Sequence, residues 1–166
     1  GEKHLMKKRF IPDFTFNNIF EIKPDFFVNN NIKAVIFDID DTLVANDVKK
    51  PTKELCGYFS HLTENGIKIS LISNGKKERV ELFNKELGFY AQHKALKPRK
   101  KPLKKVLLHF ETKPCETALV GDQLFTDIYG GNRMGFKTIL VTPIKPDETN
   151  FIKFKRKLEN LVLGKR

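Results

Sequence analysis

Cysteine and histidine are scarce in this chain. Only two cysteines, Cys56 and Cys115, occur among 166 residues, which excludes the disulfide framework of small secreted domains. The four histidines show no spacing typical of metal ligands, and neither cysteine has a second ligand close by in the sequence. We therefore expect reduced thiols in a cytoplasmic protein and no Cys/His metal cluster.

Long apolar runs are also absent. No stretch approaches the roughly 18 consecutive apolar residues of a membrane span, and the N-terminus lacks the apolar core of a signal peptide. Hydrophobic residues make up 40% of the chain and charged residues 31%, a balance typical of a folded protein. Without repeats or linkers, the sequence predicts one domain over residues 1–166, with a core at about 10–145 and a basic C-terminal segment at 150–166.

Acidic residues are in the minority. The chain has 31 Lys and Arg against 20 Asp and Glu, a net charge of +11. Such an excess favours polyanionic partners, either nucleic acid or anionic lipid headgroups, although it is also compatible with mere solubility. The positive charge is concentrated in two clusters, one formed by Lys97, Arg99, Lys100, Lys101, Lys104 and Lys105 and the other by Lys153, Lys155, Arg156 and Lys157.

Short apolar runs alternate with longer amphipathic ones. Four runs have the continuous apolar character of strands buried on both faces, namely 34–37, 67–72, 118–120 and 138–141, and a fifth short strand is expected near Phe89-Tyr90. The intervening segments predict helices from Pro51 to Asn65-Gly66, from Lys76 to Leu87, from Pro102 onward, and from Leu124 to Gly130-Gly131 or slightly beyond. This order predicts an α/β protein with a Rossmann-like, doubly wound parallel sheet.

Four carboxylates follow two of these strands. Asp38 and Asp40 come directly after the first strand, and Asp122 and Asp127 follow the third. Parallel strands end at one edge of a sheet, so we expect the four carboxylates to converge there and to attract a cation. Oxygen ligands favour Mg²⁺ over zinc. Asp38 and Asp40 alone would fit a turn or a helix cap equally well, but the second acidic pair weakens that interpretation.

Two further segments obey the same placement. Ser73-Asn74-Gly75 follows the second strand and precedes a helix, where a hydroxyl and free N–H groups favour phosphate binding, although an ordinary N-cap has the same sequence. A lysine in the basic loop ahead of the third helix would neutralise a phosphate. Spacing alone does not decide between Lys94 and Lys97.

Taken in order, these segments resemble the four motifs of the haloacid dehalogenase superfamily: Phe37-Asp38-Ile39-Asp40-Asp41-Thr42-Leu43, Ser73-Asn74-Gly75, Lys97, and Gly121-Asp122-Gln123-Leu124-Phe125-Thr126-Asp127. The fourth motif, the sequence Gly130-Gly131-Asn132-Arg133, and Ile11-Pro12-Asp13 near the N-terminus are similar to a branch of small phosphatases that includes the mitochondrial phosphatidylglycerophosphatases. This likeness extends from about Phe10 to about Phe151.

The resemblance implies a role for each motif residue. Asp38 would be the nucleophile that forms an aspartyl-phosphate, and Asp40 the acid and base that dehalogenase members lack. Mg²⁺ would be held by Asp38, the backbone carbonyl of Asp40 and Asp122, with Asp127 in a supporting position. Ser73, Asn74 and Lys97 would bind the phosphoryl oxygens, and the Lys97-Pro98 pair is what selects Lys97 over Lys94.

The spacing between motifs leaves no room for the cap domain that many superfamily members carry. An open site favours a macromolecular or interfacial substrate, or low selectivity. Three interpretations remain: a phosphatase at the membrane surface acting on an anionic phospholipid headgroup, a soluble phosphatase of broad specificity, and a nucleic-acid-binding module with a weak enzymatic site. The membrane-surface interpretation is supported by a predicted C-terminal helix, which would either lie at the membrane interface or pack on the domain. Its apolar residues are Phe151, Phe154, Leu158, Leu161 and Val162.

Overall fold

A computed structural model describes residues 1–144 and, beyond them, residues 153, 156, 157, 159 and 160. Six parallel strands form its sheet, in the order β1-β6-β5-β2-β3-β4. The strands are β1 (Phe14–Phe16), β2 (Ala34–Asp38), β3 (Lys68–Ile72), β4 (Tyr90–Gln92), β5 (Thr117–Gly121) and β6 (Lys137–Val141). The predicted parallel α/β architecture is confirmed, while the apolar residues predicted for a C-terminal helix lie outside the described residues.

Helices cover both faces of the sheet. The helices of residues 1–144 are α1 (Glu2–Lys8), which has no buried residue, α2 (Pro24–Asn29), α3 (Lys53–Glu64), α4 (Lys77–Asn84), α5 (Lys100–Phe110) and α6 (Tyr129–Met134), with a π-helical turn at Leu124–Ile128 and 3₁₀ turns at Ile19–Glu21 and Pro114–Glu116. Successive side chains of a strand point to opposite faces. Accordingly Phe37 packs in the core with α3 and α4, whereas its neighbour Ile36 packs with α5.

The helix boundaries differ from the sequence prediction in instructive places. Helix α3 begins after Thr52, whose hydroxyl accepts a hydrogen bond from the Leu55 N–H at 3.1 Å. Helix α4 ends at Asn84, three residues before the predicted Leu87, because the Asn84 side chain bonds both the N–H and the carbonyl of Phe89. Helix α5 begins at Lys100, two residues before Pro102.

Gly130 and Gly131 lie inside helix α6 rather than at its end. The helix continues to Met134 and stops at Gly135, which has a positive φ of 78°. A Cβ on Gly131 would come within 2.6 Å of the Thr138 methyl group, and one on Gly130 within 3.3 Å of Pro98. These two glycines therefore allow close packing of α6 against β6 and the loop before α5, which a sequence pattern does not distinguish from a helix stop.

The N-terminal segment joins the sheet through a strand that the sequence analysis did not predict. Strand β1 pairs with β6 in parallel, with Phe14 opposite Ile139. The Asp13 carboxylate accepts hydrogen bonds from the Thr138 N–H at 2.9 Å and from its hydroxyl at 3.3 Å. The Asn132 amide donates to the carbonyls of Arg9 and Ile11, at 2.9 Å each.

The order of the strands fixes where a ligand can bind. From β2 the chain adds β3 and β4 on one side, and then β5 and β6 on the other. In such sheets the crevice between the two halves, at the carboxyl ends of the strands, is where ligands bind. Residues 39–67 contain α3 as their only helix and residues 73–89 contain α4, so no cap domain is inserted in these described segments. No helix in the described part of the chain has the length and apolarity needed to cross a membrane.

Candidate active site

Three buried carboxylates meet at the crevice between β2 and β5. Asp38 is the last residue of β2, Asp122 follows β5 directly, and Asp127 lies on the π-helical turn after it. One oxygen from each lies within 4.8 Å of the others. Asp38 and Asp122 are each 5% exposed and Asp127 is fully buried, so their charges are largely removed from water.

The Lys97 ammonium group is placed against two of these carboxylates. It donates to Asp38 Oδ1 at 2.7 Å and to Asp127 Oδ1 at 2.6 Å, and its side chain is only 6% exposed. Burial alone would lower the pKa of Lys97, but the carboxylates of Asp127 and Asp38 outweigh that effect and raise it. Lys97 therefore stays charged at neutral pH, while the side chain of Lys94 is exposed.

One ammonium does not balance three carboxylates. Burial, followed by the charge of Asp127, raises the pKa of Asp38 well above its ordinary value even though Lys97 opposes the shift. The same two causes raise the pKa of Asp122 to about 6. The Thr42 hydroxyl lies between the two carboxylates, 3.3 Å from Asp38 Oδ2 and 3.1 Å from Asp122 Oδ1. With all three carboxyls ionised, the cluster has two negative charges in excess of Lys97, and its oxygen donors are hard, so a divalent cation that prefers oxygen fits it.

Asp40 lies beside this cluster rather than in it. Its carboxylate accepts a hydrogen bond from Arg79 Nη2 at 3.1 Å and a long one from the Ser73 hydroxyl at 3.5 Å. The expected convergence therefore holds for three of the four carboxylates, because the Arg79 guanidinium binds the fourth. Asp40 is also the most accessible of them, with a side chain that is 35% exposed.

The loop after β3 positions both Ser73 and Lys97. Ser73 is buried, and its hydroxyl accepts a hydrogen bond from the Gly75 N–H at 2.9 Å. The Asn74 side-chain oxygen accepts one from the Lys97 N–H at 2.8 Å. Asn74 thus joins the segment that carries Ser73 to the segment that carries Lys97, a contact that the sequence did not indicate.

Sequence reasoning missed two residues that shape the site. Arg79, in the first turn of α4, pairs with Asp40, and its Nη1 is buried without a hydrogen-bond partner among the described residues. Gly121 is needed because a Cβ there would overlap the Asp127 carboxylate. Gly121 is part of the fourth motif, but the sequence assigned it no role of its own. For Arg79 the sequence contained one indication, its position near the start of the predicted helix that follows Ser73-Asn74-Gly75.

Comparison with known proteins identifies the family of this chain. The family model described as mitochondrial PGP phosphatase matches residues 3–145. The chain belongs to this phosphatase family. The probable phosphatase YqeG of Bacillus subtilis is 38% identical over 160 residues, which cover 96% of this chain and 93% of that protein. Phosphatidylglycerophosphate phosphatase 1 of Arabidopsis thaliana is 28% identical over 171 residues, covering 94% of this chain and 47% of that longer protein.

Solved structures share the fold of this PGP phosphatase family member. A phosphatase from Thermococcus onnurineus, described as a HAD phosphatase, has a TM-score of 0.54 and 18% identity, and the match covers 76% of this chain and 98% of the other. The cobalt-bound deoxy-D-mannose-octulosonate 8-phosphate phosphatase of Haemophilus influenzae has a TM-score of 0.53 and 16% identity, covering 80% and 90%. These structures show the shared fold. The predicted likeness to the phosphatidylglycerophosphatase branch is confirmed by the family match, and the chain is a phosphoric monoester hydrolase.

Proposed function

We propose that this phosphatase hydrolyses a phosphate monoester through an aspartyl-phosphate on Asp38, with Mg²⁺ as cofactor. The observation that carries the proposal is the position of the Asp38 carboxylate. It ends a central strand, touches the Lys97 ammonium at 2.7 Å and the Thr42 hydroxyl at 3.3 Å, and shares its site with two further carboxylates. A nucleophile held by a buried cation next to a cation site is suited to attack on a dianionic phosphate.

The reaction needs two displacements at phosphorus. In the first, an Asp38 oxygen forms a bond to phosphorus while the ester P–O bond breaks, and protonated Asp40 gives its proton to the leaving alcohol oxygen. In the second, a water oxygen attacks phosphorus and the bond to the Asp38 oxygen breaks. Asp40 takes the proton of the water, inorganic phosphate leaves, and both aspartates return to their starting state. The 35% exposure of Asp40 fits a group that exchanges protons with a leaving group and with water.

Asp38, Asp122 and the backbone carbonyl of Asp40 would hold Mg²⁺, with Asp127 in a supporting position. The buried oxygen donors and the excess negative charge described above fit this ion. When bound, Mg²⁺ supplies positive charge that offsets repulsion between the phosphate and the carboxylates. Lys97, Ser73 and Asn74 would bind the phosphoryl oxygens, and Lys97 would stabilise the charge that develops on them in the transition state.

As substrate we propose phosphatidylglycerophosphate, met by a peripheral contact with the membrane surface. The family name and the Arabidopsis relative suggest this lipid, and the net charge of +11 favours an anionic surface. Between the motifs of the described residues no cap domain is inserted over the carboxyl edge of the sheet, so a headgroup projecting from a bilayer can reach it. The same open edge favours the second candidate, a soluble phosphatase of broad specificity.

The test is phosphate release from phosphatidylglycerophosphate in mixed micelles and from a panel of soluble phosphate esters. Each assay is run with Mg²⁺, with EDTA, and with the variant Asp38→Asn. Asp25→Asn, at an exposed position of α2, is the matched control for loss of one carboxylate. We expect Mg²⁺-dependent release from the lipid that Asp38→Asn abolishes and Asp25→Asn retains. Release from soluble esters alone would support the second candidate, and release that persists in Asp38→Asn would refute the proposed nucleophile.

A further inference from the structure

A basic pocket adjoins the candidate active site. It has a volume of about 220 Å³ and is lined by the basic side chains of His93, Lys94, Arg99, Lys101 and Lys105 together with Gln92, Ala95, Leu96 and Pro102. None of these lining residues is acidic. None of the basic ones forms a salt bridge with a carboxylate in the part of the chain that the structure describes. Four positive charges therefore line this pocket, and no carboxylate of the described residues forms a salt bridge with them.

The start of helix α5 adds to this positive potential. Arg99 precedes the helix without capping it, and the first turn contains no acidic residue. The N-terminus of a helix carries a partial positive charge and normally attracts acidic side chains. Arg99 and Lys101 are repelled by that end of the helix and by each other, so this arrangement weakens α5. A bound anion would offset both repulsions.

The pocket and the loop after β3 are joined by backbone hydrogen bonds. The Lys94 N–H donates to the Gly75 carbonyl at 2.9 Å, and the Ala95 N–H donates to the Ser73 carbonyl at 3.0 Å. In the sequence, Lys97 lies between the pocket residues Leu96 and Arg99, and its ammonium group contacts Asp38. A molecule that places one phosphate at Asp38 therefore has the pocket beside it.

We propose that the basic pocket binds a second phosphate group of the substrate while the phosphate monoester is hydrolysed at Asp38. Its volume is below the roughly 300–1,000 Å³ of pockets for drug-sized ligands, so it suits a small charged group. This assignment rests on the proposed function. It adds where the second phosphate of such a substrate, the one that is not hydrolysed, is bound.

The test compares two water-soluble substrates. One is the deacylated headgroup of phosphatidylglycerophosphate, which carries a phosphodiester beside the monoester, and the other is glycerol 3-phosphate, which carries the monoester alone. For the double variant Lys101→Gln/Lys105→Gln we expect KM for the headgroup to rise about tenfold, the equivalent of about 1.4 kcal/mol. The ratio of the two KM values should move toward one, with kcat for the headgroup changed less than threefold.

The control is the double variant Lys104→Gln/Lys85→Gln, which removes the same charge at exposed positions outside the pocket. It should keep the wild-type KM ratio, and both double variants should melt within a few degrees of the wild type. An unchanged ratio in Lys101→Gln/Lys105→Gln would overturn the inference while wild-type turnover still supports the phosphatase. Loss of binding to phosphatidylglycerol vesicles without any change in the ratio would overturn it in favour of simple surface adsorption. No turnover of either substrate by the wild type would instead refute the proposed function.

Discussion

Replacing Asp122 by asparagine should stabilise the metal-free protein and abolish its response to Mg²⁺. Asp122 forms no ion pair with a cation among the described residues, and burial together with the Asp127 charge raises its pKa from 3.8 to about 6. At neutral pH the folded protein therefore holds this carboxylate in its disfavoured, ionised form. The pKa difference corresponds to roughly 3 kcal/mol of destabilisation as an upper limit. The new amide removes the charge and keeps the oxygen that accepts the hydrogen bond from Thr42.

The direction of the pH dependence follows from the raised pKa. The unfolded carboxyl ionises near 3.8 and the folded one near 6, so the folded state binds more protons between these values. The gain from Asp122→Asn should be complete above about pH 6 and should disappear as the pH falls toward 3.8. In EDTA at pH 7.5, we expect the melting temperature to rise by up to about 6–12 °C, since 1 kcal/mol corresponds to roughly 2–4 °C for a chain of this size.

Magnesium should reverse the order of the two proteins. The wild type gains about 4.1 kcal/mol at an Mg²⁺ concentration one thousand times its Kd, which exceeds the roughly 3 kcal/mol that separates the two proteins in EDTA, whereas the variant has lost a proposed ligand. Thermal melts in EDTA and in Mg²⁺ measure both effects, and Asp25→Asn again serves as the control. The reasoning is refuted if Asp122→Asn melts below the wild type in EDTA, or if Mg²⁺ raises both melting temperatures equally.

Three further substitutions probe the site. In Gly121→Ala the new Cβ would displace the Asp127 carboxylate. We therefore expect the free energy of unfolding to fall by about 1–3 kcal/mol and most phosphate release to be lost. A variant with wild-type melting temperature and activity would contradict this. Lys97→Met leaves the buried Asp38 and Asp127 without their ammonium partner, and kcat should fall by about 10²–10³-fold; a fall of less than tenfold would show that Lys97 is dispensable. Arg79→Met removes the guanidinium that holds the Asp40 carboxylate in place. We expect this to slow phosphate release from alkyl phosphates about tenfold more than release from p-nitrophenyl phosphate, whose leaving group needs no proton. Equal losses on both substrates would argue against a role of Arg79 through Asp40.

The buried strands of the fold could be predicted from the sequence because their apolar runs are continuous. Strands β2, β3, β5 and β6 all lie where such runs occur. Strand β1 has only three residues, and what stabilises it is a partner strand and the contact between Asp13 and Thr138, 125 positions apart. Local sequence carries no record of contacts at that separation. The short strand expected at Phe89-Tyr90 is found one residue later, at Tyr90–Gln92.

The same distinction applies to the site. The positions of Asp38, Asp122 and Asp127 could be predicted because parallel strands end at the same edge of a sheet, and because β2 and β5 are adjacent in this sheet. Asp40 is separated from that group because it pairs with the Arg79 guanidinium of α4. The charge pattern of α4 does not distinguish Arg79 from its charged neighbours. Gly121 likewise matters only through the side chain that packs on it.

The three-residue strand β1 also has a consequence for how this sheet behaves in solution. It covers the outer side of β6, whose Thr138, Ile139, Leu140 and Val141 are all buried. A chain shortened to begin after Phe16 would leave β6 as an open, largely apolar edge strand, the kind of surface that pairs with other molecules. Its defect would then be concentration-dependent aggregation rather than lost catalysis, since the carboxylates of the site lie at the end of β2 and in the segment after β5, not on β1 or β6. The N-terminal residues thus protect the sheet from self-association. A very short strand is enough for this because it exposes few unpaired backbone groups of its own.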